Sequence, residues 1–239
     1  VSKAPAHPVL AALIIQLAWL PGGQPRAAEV LDSAAFYARH PGQLFRDTEP
    51  VDMTVGFLEG QETPYQTWEG LVAGKKVYVE LHGTQLKVKV GPRWIERSLQ
   101  GAIRMPAEAM TALDARGTEL YVRAGAAGRP SVLCLESLRP DAQQAVPLRS
   151  VYVVPNLLSP SARLYQLPAL YAACRGLAQT EGRPGEVEAP VWTPADQSKP
   201  KGFAIRYHRL VKRGFMPTGL TFSAVSVGDQ LDEFRVSKP

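Results

Sequence analysis

The stretch Val77-Tyr78-Val79-Glu80-Leu81-His82-Gly83-Thr84-Gln85-Leu86-Lys87-Val88-Lys89-Val90 sets the fold class. Its apolar residues recur at every second position on both sides of a glycine, the period of a half-buried strand. A two-residue turn at His82-Gly83 pairs Leu81 with Thr84, Val79 with Leu86 and Val77 with Val88. That register puts the large apolar side chains on one face and Tyr78, Glu80, Gln85 and Lys87 on the other. A slip of one residue would mix the faces, so the hairpin is strongly specified. Gly91-Pro92 ends it.

Working outward, Val51 to Phe57 alternates in the same way. Trp94 to Ile103 reads as an uneven strand. Thr118–Ala124 and Ser131–Ser137 form a second hairpin joined through Gly125 to Gly128. Val151-Tyr152-Val153-Val154 is a short buried strand. Gly202–Val211, Leu220–Val227 and Leu231–Val236 return to strands near the end of the chain. Short turns between successive strands favour antiparallel pairing.

Helices are expected in three places. Val30 to Arg39 is a short one. Pro106 to Arg116 has proline at the first helical position and Gly117 past the end. Ser159-Pro160 caps and opens a third, kinked at Pro168 and ended by Gly176. Leu164, Leu167, Tyr171 and Cys174 would share its inner face. Residues 178–201 hold four prolines and read as a long loop. The expected fold is therefore α+β, mostly antiparallel β-sheet with two or three short helices packed on it. The expected organisation is a signal peptide at 1–28, an N-terminal arm at 29–49 and a single domain at 50–239.

The signal peptide is read from Lys3 and His7, the apolar run Val9 to Leu20, the helix-ending Pro21-Gly22-Gly23 and a small-residue site at Ala27-Ala28. Twelve residues are too few to span a bilayer, which takes about twenty. Arg26 departs from the small-x-small cleavage pattern, so an uncleaved anchor is the competing reading. The whole chain carries 27 Lys and Arg against 22 Asp and Glu. The leader contains Lys3 and Arg26, so +3 remains after cleavage. That balance does not favour nucleic acid as a partner. In an exported chain the two remaining cysteines, Cys134 and Cys174, form a disulfide.

Nucleophile elbows, zinc-protease signatures, glycine-rich phosphate loops and paired-cysteine motifs are absent from the sequence. No cofactor, metal set or catalytic residue is assigned. Tyr165, Tyr171, Trp192 and Tyr207 are candidates for an apolar pocket. The sharper feature is a basic row: Lys199, Lys201, Arg206, His208, Arg209, Lys212 and Arg213, with no Asp or Glu between Gln197 and Asp229. Lys201, Arg206, His208, Arg209, Lys212 and Arg213 are the expected binding residues. On a strand, Arg206 and His208 share one face and Arg209 takes the other. The function expected is that of a non-enzymatic, periplasmic or secreted protein of a bacterial envelope. Its partner would be an envelope protein or an anionic glycan or lipid headgroup. An exported hydrolase without a local signature and a structural subunit of an envelope-spanning apparatus are the alternatives.

Overall fold

The computed structural model describes residues 29–40, 42–57, 59–60, 62–106, 108–114, 116–125, 129–139, 148–179, 183, 185–196, 201–228 and 231–238. The leader-like residues 1–28, the 126–128 connection and Lys199 lie outside them. The chain begins with β1 (Val30–Leu31) and α1 (Ser33–Arg39). β2 (Thr54–Phe57), β3 (Pro64–Val72), β4 (Lys75–His82), β5 (Gln85–Val90) and β6 (Arg93–Ser98) form a five-stranded meander in that order. β7 (Glu119–Arg123), β8 (Val132–Leu138), β9 (Arg149–Pro155) and β10 (Tyr165–Gln166) form a four-stranded sheet. β11 (Ala178–Gln179), β12 (Val187–Pro194), β13 (Gly202–Val211), β14 (Gly214–Ser226) and β15 (Phe234–Ser237) join β1 in a six-stranded sheet, ordered β1-β15-β14-β13-β12-β11. Every pairing between these strands is antiparallel.

The four-stranded sheet is the middle layer. Leu120, Leu133, Leu135, Tyr152 and Val154 pack against the meander's inner residues Val77, Val79, Leu86 and Val88. The alternate residues Tyr121, Val132, Cys134, Val151 and Val153 pack against Val187, Ala189 and Leu210 of the six-stranded sheet. A strand covered on both faces reads as a continuous apolar run, which β8 and β9 show. The far face of the six-stranded sheet packs Phe203, Ile205 and Tyr207 against Phe36 and Tyr37 of α1. The Asp32 side chain accepts from the Ala35 amide at 2.6 Å and starts that helix.

The antiparallel hairpins form where the alternation places them, with one change of register. Leu81 pairs with Leu86, Val79 with Val88 and Val77 with Val90. The turn is Gly83-Thr84, not His82-Gly83. Gly83 takes φ +56° at the first central position, where a type II′ hairpin requires glycine. The shift keeps every side chain on its expected face, so the buried set is unchanged. The strand expected at Trp94 to Ile103 stops at Ser98 and turns through a 3₁₀ segment, Leu99–Gly101.

Two expected helices are replaced by turns and irregular chain, with the two-residue β10 inside the second; α1, shorter than expected, is the single α-helix among the described residues. In the 106–116 region, backbone groups bond to side chains of the middle sheet instead of to their own turn. Tyr152 donates to the Thr111 carbonyl, Gln166 Nε2 donates to the Ala109 carbonyl, and the Asp114 amide donates to Ser137 Oγ. In the 159–175 region the Leu167 amide donates to the Val151 carbonyl, and Gln166 and Leu164 bond Ile103. Leu164 through Ala169 are all buried. In a run buried throughout, spacings of three and four arise without a helix. Tyr171 adopts φ +50°, which no helix tolerates.

The expected loop at 178–201 contains β12 and most of β11's pairing. β11 covers only Val187 and Glu188, so Pro190 lies where one side of β12 is an edge and its missing N–H costs no ladder bond there. Residues 29–49, read as an arm, contribute Phe36, Tyr37, Leu44 and Phe45 to the core. No helix among the described residues is long and apolar enough to cross a membrane.

Candidate functional site: an arginine-lined cleft

β13 does not gather the expected basic row into one patch. Lys201 precedes the strand, and Lys212 and Arg213 form the turn beyond it. Ten residues of strand hold these ends about 33 Å apart. Arg206 is exposed on one face. His208 shares that face but is buried at 7% exposure, with Nδ1 3.1 Å from the Arg206 carbonyl. Burial pushes its imidazole below the ordinary value. Arg209, on the other face, donates to Glu186 at 3.0 Å. The four expected pocket aromatics are core. Tyr171 lies against Trp192 at 4.6 Å, Tyr165 meets Phe215, and Tyr207 stacks on His40 at 4.1 Å.

Arginines converge elsewhere. A cleft of about 610 Å³ is lined by Arg39, Arg46, Arg123 and Arg129, with Asp47 and Thr48. Arg39 ends α1. The chain then turns back through Gly42, whose φ is +79° and whose Cβ position lies 3.0 Å from the Gln179 carbonyl. A side chain there would meet backbone, so glycine permits the close pass. The return is anchored by Leu44, whose amide donates to the Leu177 carbonyl at 2.8 Å, and by Phe45 against Tyr121. These two buried anchors aim Arg46 and Asp47 outward. Arg123 comes from the end of β7 and Arg129 from the segment leading into β8.

Arginines outnumber acids in the cleft lining. Arg39 pairs with Glu29, Arg46 donates to the Ala38 carbonyl and Arg123 to the Leu44 carbonyl. Burial pushes the Arg123 guanidinium down, the nearby Arg129 charge adds to this, and Asp47 opposes it. Arginine does not give up its proton in proteins, so Arg123 and Arg129 hold repelling charge that an anion would relieve. Sequence reasoning missed this site because its parts come from positions 39–48 and 123–129, joined only by packing of the middle sheet.

No family model, curated protein or solved structure matches this chain.

A second cleft, of about 390 Å³, lies near the disulfide and is satisfied internally. Glu136 is 4% exposed and accepts from Arg149 at 2.6 Å and from the Cys174 amide at 2.5 Å. Burial pushes its carboxyl up, against the pull of those two donors. Arg175 pairs with Glu49, and Tyr121 donates to Glu119. Cys134 and Cys174 are bonded to each other, with Cα atoms 5.8 Å apart. Cys174 sits on a 3₁₀ turn rather than on the expected helix. Glu136 therefore fastens the disulfide turn to the middle sheet.

Proposed function

We propose that the protein is an exported, non-enzymatic binding protein of a bacterial envelope, and that its arginine-lined cleft takes a phosphate-bearing group of an envelope component. The observation that carries the reading is the convergence of Arg39, Arg46, Arg123 and Arg129 around one opening with Asp47 as the acid among its lining residues. Guanidinium groups present paired donors that match phosphate oxygens, and several around one cleft favour an anion over any neutral ligand. Export rests on the leader-like residues 1–28, and the buried disulfide is in keeping with an oxidising compartment.

The test uses two probes for the one chemistry. Inorganic pyrophosphate is titrated into the protein by calorimetry. Vesicles of phosphatidylglycerol or phosphatidylcholine are sedimented with it. The expected result is binding to at least one anionic probe that weakens as salt rises. Arg123→Gln combined with Arg129→Gln should weaken it by at least about tenfold, or 1.4 kcal/mol. Pyrophosphate binding alone assigns a soluble or partner-borne phosphate, and vesicle binding alone assigns a lipid headgroup. Failure of both anionic probes, or binding unaffected by the double substitution, overturns the reading.

A further inference from the structure

The outer face of the five-stranded meander is built differently from the rest of the surface. The inner face packs on the middle sheet, and residues of the outer face line up in rows across the strands. One row runs Glu69, Tyr78, Lys89, Trp94 across β3, β4, β5 and β6. The next runs Thr67, Glu80, Lys87, Glu96, and the next Tyr65, His82, Gln85, Ser98. Trp94 is 51% exposed, although tryptophan usually buries most of its area. Tyr78 stands edge-on to it, with ring centroids 6.1 Å apart at 80°. Lys89 Nζ lies 5.2 Å from the Trp94 ring centroid. Tyr65 packs on Gly56 on the same face, so close that a Cβ there would sit 2.5 Å from its ring. The first row borders a cleft of about 730 Å³.

The charges identify the occupant. Lys76, Lys87 and Lys89 are balanced on this face by Glu69, Glu80 and Glu96. Glu80 accepts from Tyr78 at 3.2 Å and pairs with Lys87 at 3.5 Å. A face that balances its own charges offers no counterion release to a nucleic acid and no steering to a charged partner. An apolar protein partner would strip water from this row of charged side chains and offer no hydrogen bonds in return. What remains complementary is a ligand with flat apolar patches for the rings and many neutral hydroxyls for the carboxylates and ammonium groups. We infer that the outer face of the meander, centred on Trp94 and Tyr78, is a binding platform for a neutral glycan chain.

This site is separate from the arginine cleft and stands whether or not that cleft binds phosphate. The probes are cellohexaose, maltohexaose and chitohexaose, with hexagalacturonate as the anionic counterpart. Each is titrated into the full chain by calorimetry at low and high salt. At least one neutral hexasaccharide should bind, with an affinity that salt leaves unchanged. Trp94→Ala should weaken it by at least about tenfold, the loss of one stacked ring. Trp94→Phe, which keeps an aromatic face, should stay within a few-fold of the parent and guards against misfolding as the cause. Arg123→Gln should leave glycan binding unchanged. The inference fails if none of the three neutral glycans binds, if Trp94→Ala binds as well as the parent, or if hexagalacturonate binds more tightly in a salt-sensitive way.

Discussion

Breaking the Cys134–Cys174 bond gives the most quantitative test of this architecture. The crosslink closes a loop with a sequence separation of 40, which contains β9 and β10. Chain entropy for a loop of that size is worth about 4 kcal/mol. Both cysteines are 0% exposed, so replacing them with alanine also vacates two packed sulfur positions. That adds about 1 kcal/mol of lost contact and cavity. Two perturbations separate these contributions. Reduction keeps the sulfur atoms and should cost about 4 kcal/mol. The double substitution Cys134→Ala with Cys174→Ala should cost about 5 kcal/mol. For a chain of this size each kcal/mol lowers Tm by about 2–4 °C, so the double variant should melt about 10–20 °C lower. Urea denaturation followed by tryptophan fluorescence gives both free energies, and calorimetry gives Tm. A loss under about 1 kcal/mol on reduction would refute the reasoning, because the unfolded chain would then gain almost no freedom from the cut. Finding two titratable thiols in protein purified under oxidising conditions would refute the bond itself.

The remaining predictions concern the core and its buried charges. Leu135 is fully buried in the middle sheet, so Leu135→Ala should cost about 2–5 kcal/mol in urea denaturation. The Glu136 carboxyl is raised above its ordinary value of 4.5, so its stabilising contribution is complete below pH 4.5 and is lost as pH rises through the raised folded value. Glu136→Gln removes that titration. The stability of the parent relative to this variant should therefore increase as pH is lowered across the window just above 4.5, and a flat difference would contradict the burial argument. His208 shifts in the opposite direction, below 6.5. Its contribution is complete above pH 6.5 and is lost as pH falls through the lowered folded value, so His208→Gln should lose less stability than the parent between neutral and mildly acid pH. Arg129→Gln should raise Tm at low salt without ligand, since it removes a charge that opposes Arg123, and the gain should vanish at high salt. A Tm that falls equally at both salt concentrations would mean Arg129 acts through packing.

The strands were legible in the sequence because one-sided burial leaves a period of two. Val77, Val79, Leu86 and Val88 declare their face whichever residue leads the turn, which is why the face survived and the register did not. The disulfide was legible from cysteine count and expected compartment, although the helix assigned to Cys174 was not there. The helices failed for a different reason. Where Leu164 to Ala169 are buried between the layers, side chains on every side are apolar and no period remains to read. Proline density hid β12, because the edge that tolerates Pro190 exists only once β11 is known to begin at Ala178, short of the position opposite that proline. The basic row was legible as composition but not as a surface, since one strand sends its residues to two faces and both ends. The arginine cleft was not legible at all. Arg39 and Arg123 become neighbours only when the Leu44 and Phe45 return is docked on β7.

The pairing of Val30 with Arg235 and Leu31 with Phe234 has a consequence for the order in which the molecule is made. The meander closes through turns of a few residues and can form as soon as the chain has emerged through Ser98. The six-stranded sheet ends on a strand that joins positions about two hundred residues apart. Loop closure of that length costs about 4.7 kcal/mol by the (3/2)RT ln n rule, before any contact repays it. That seam is therefore the last to form, and it waits for nearly the whole chain. Until β15 arrives, the edge of β14 stays unpaired along Ser223 to Ser226.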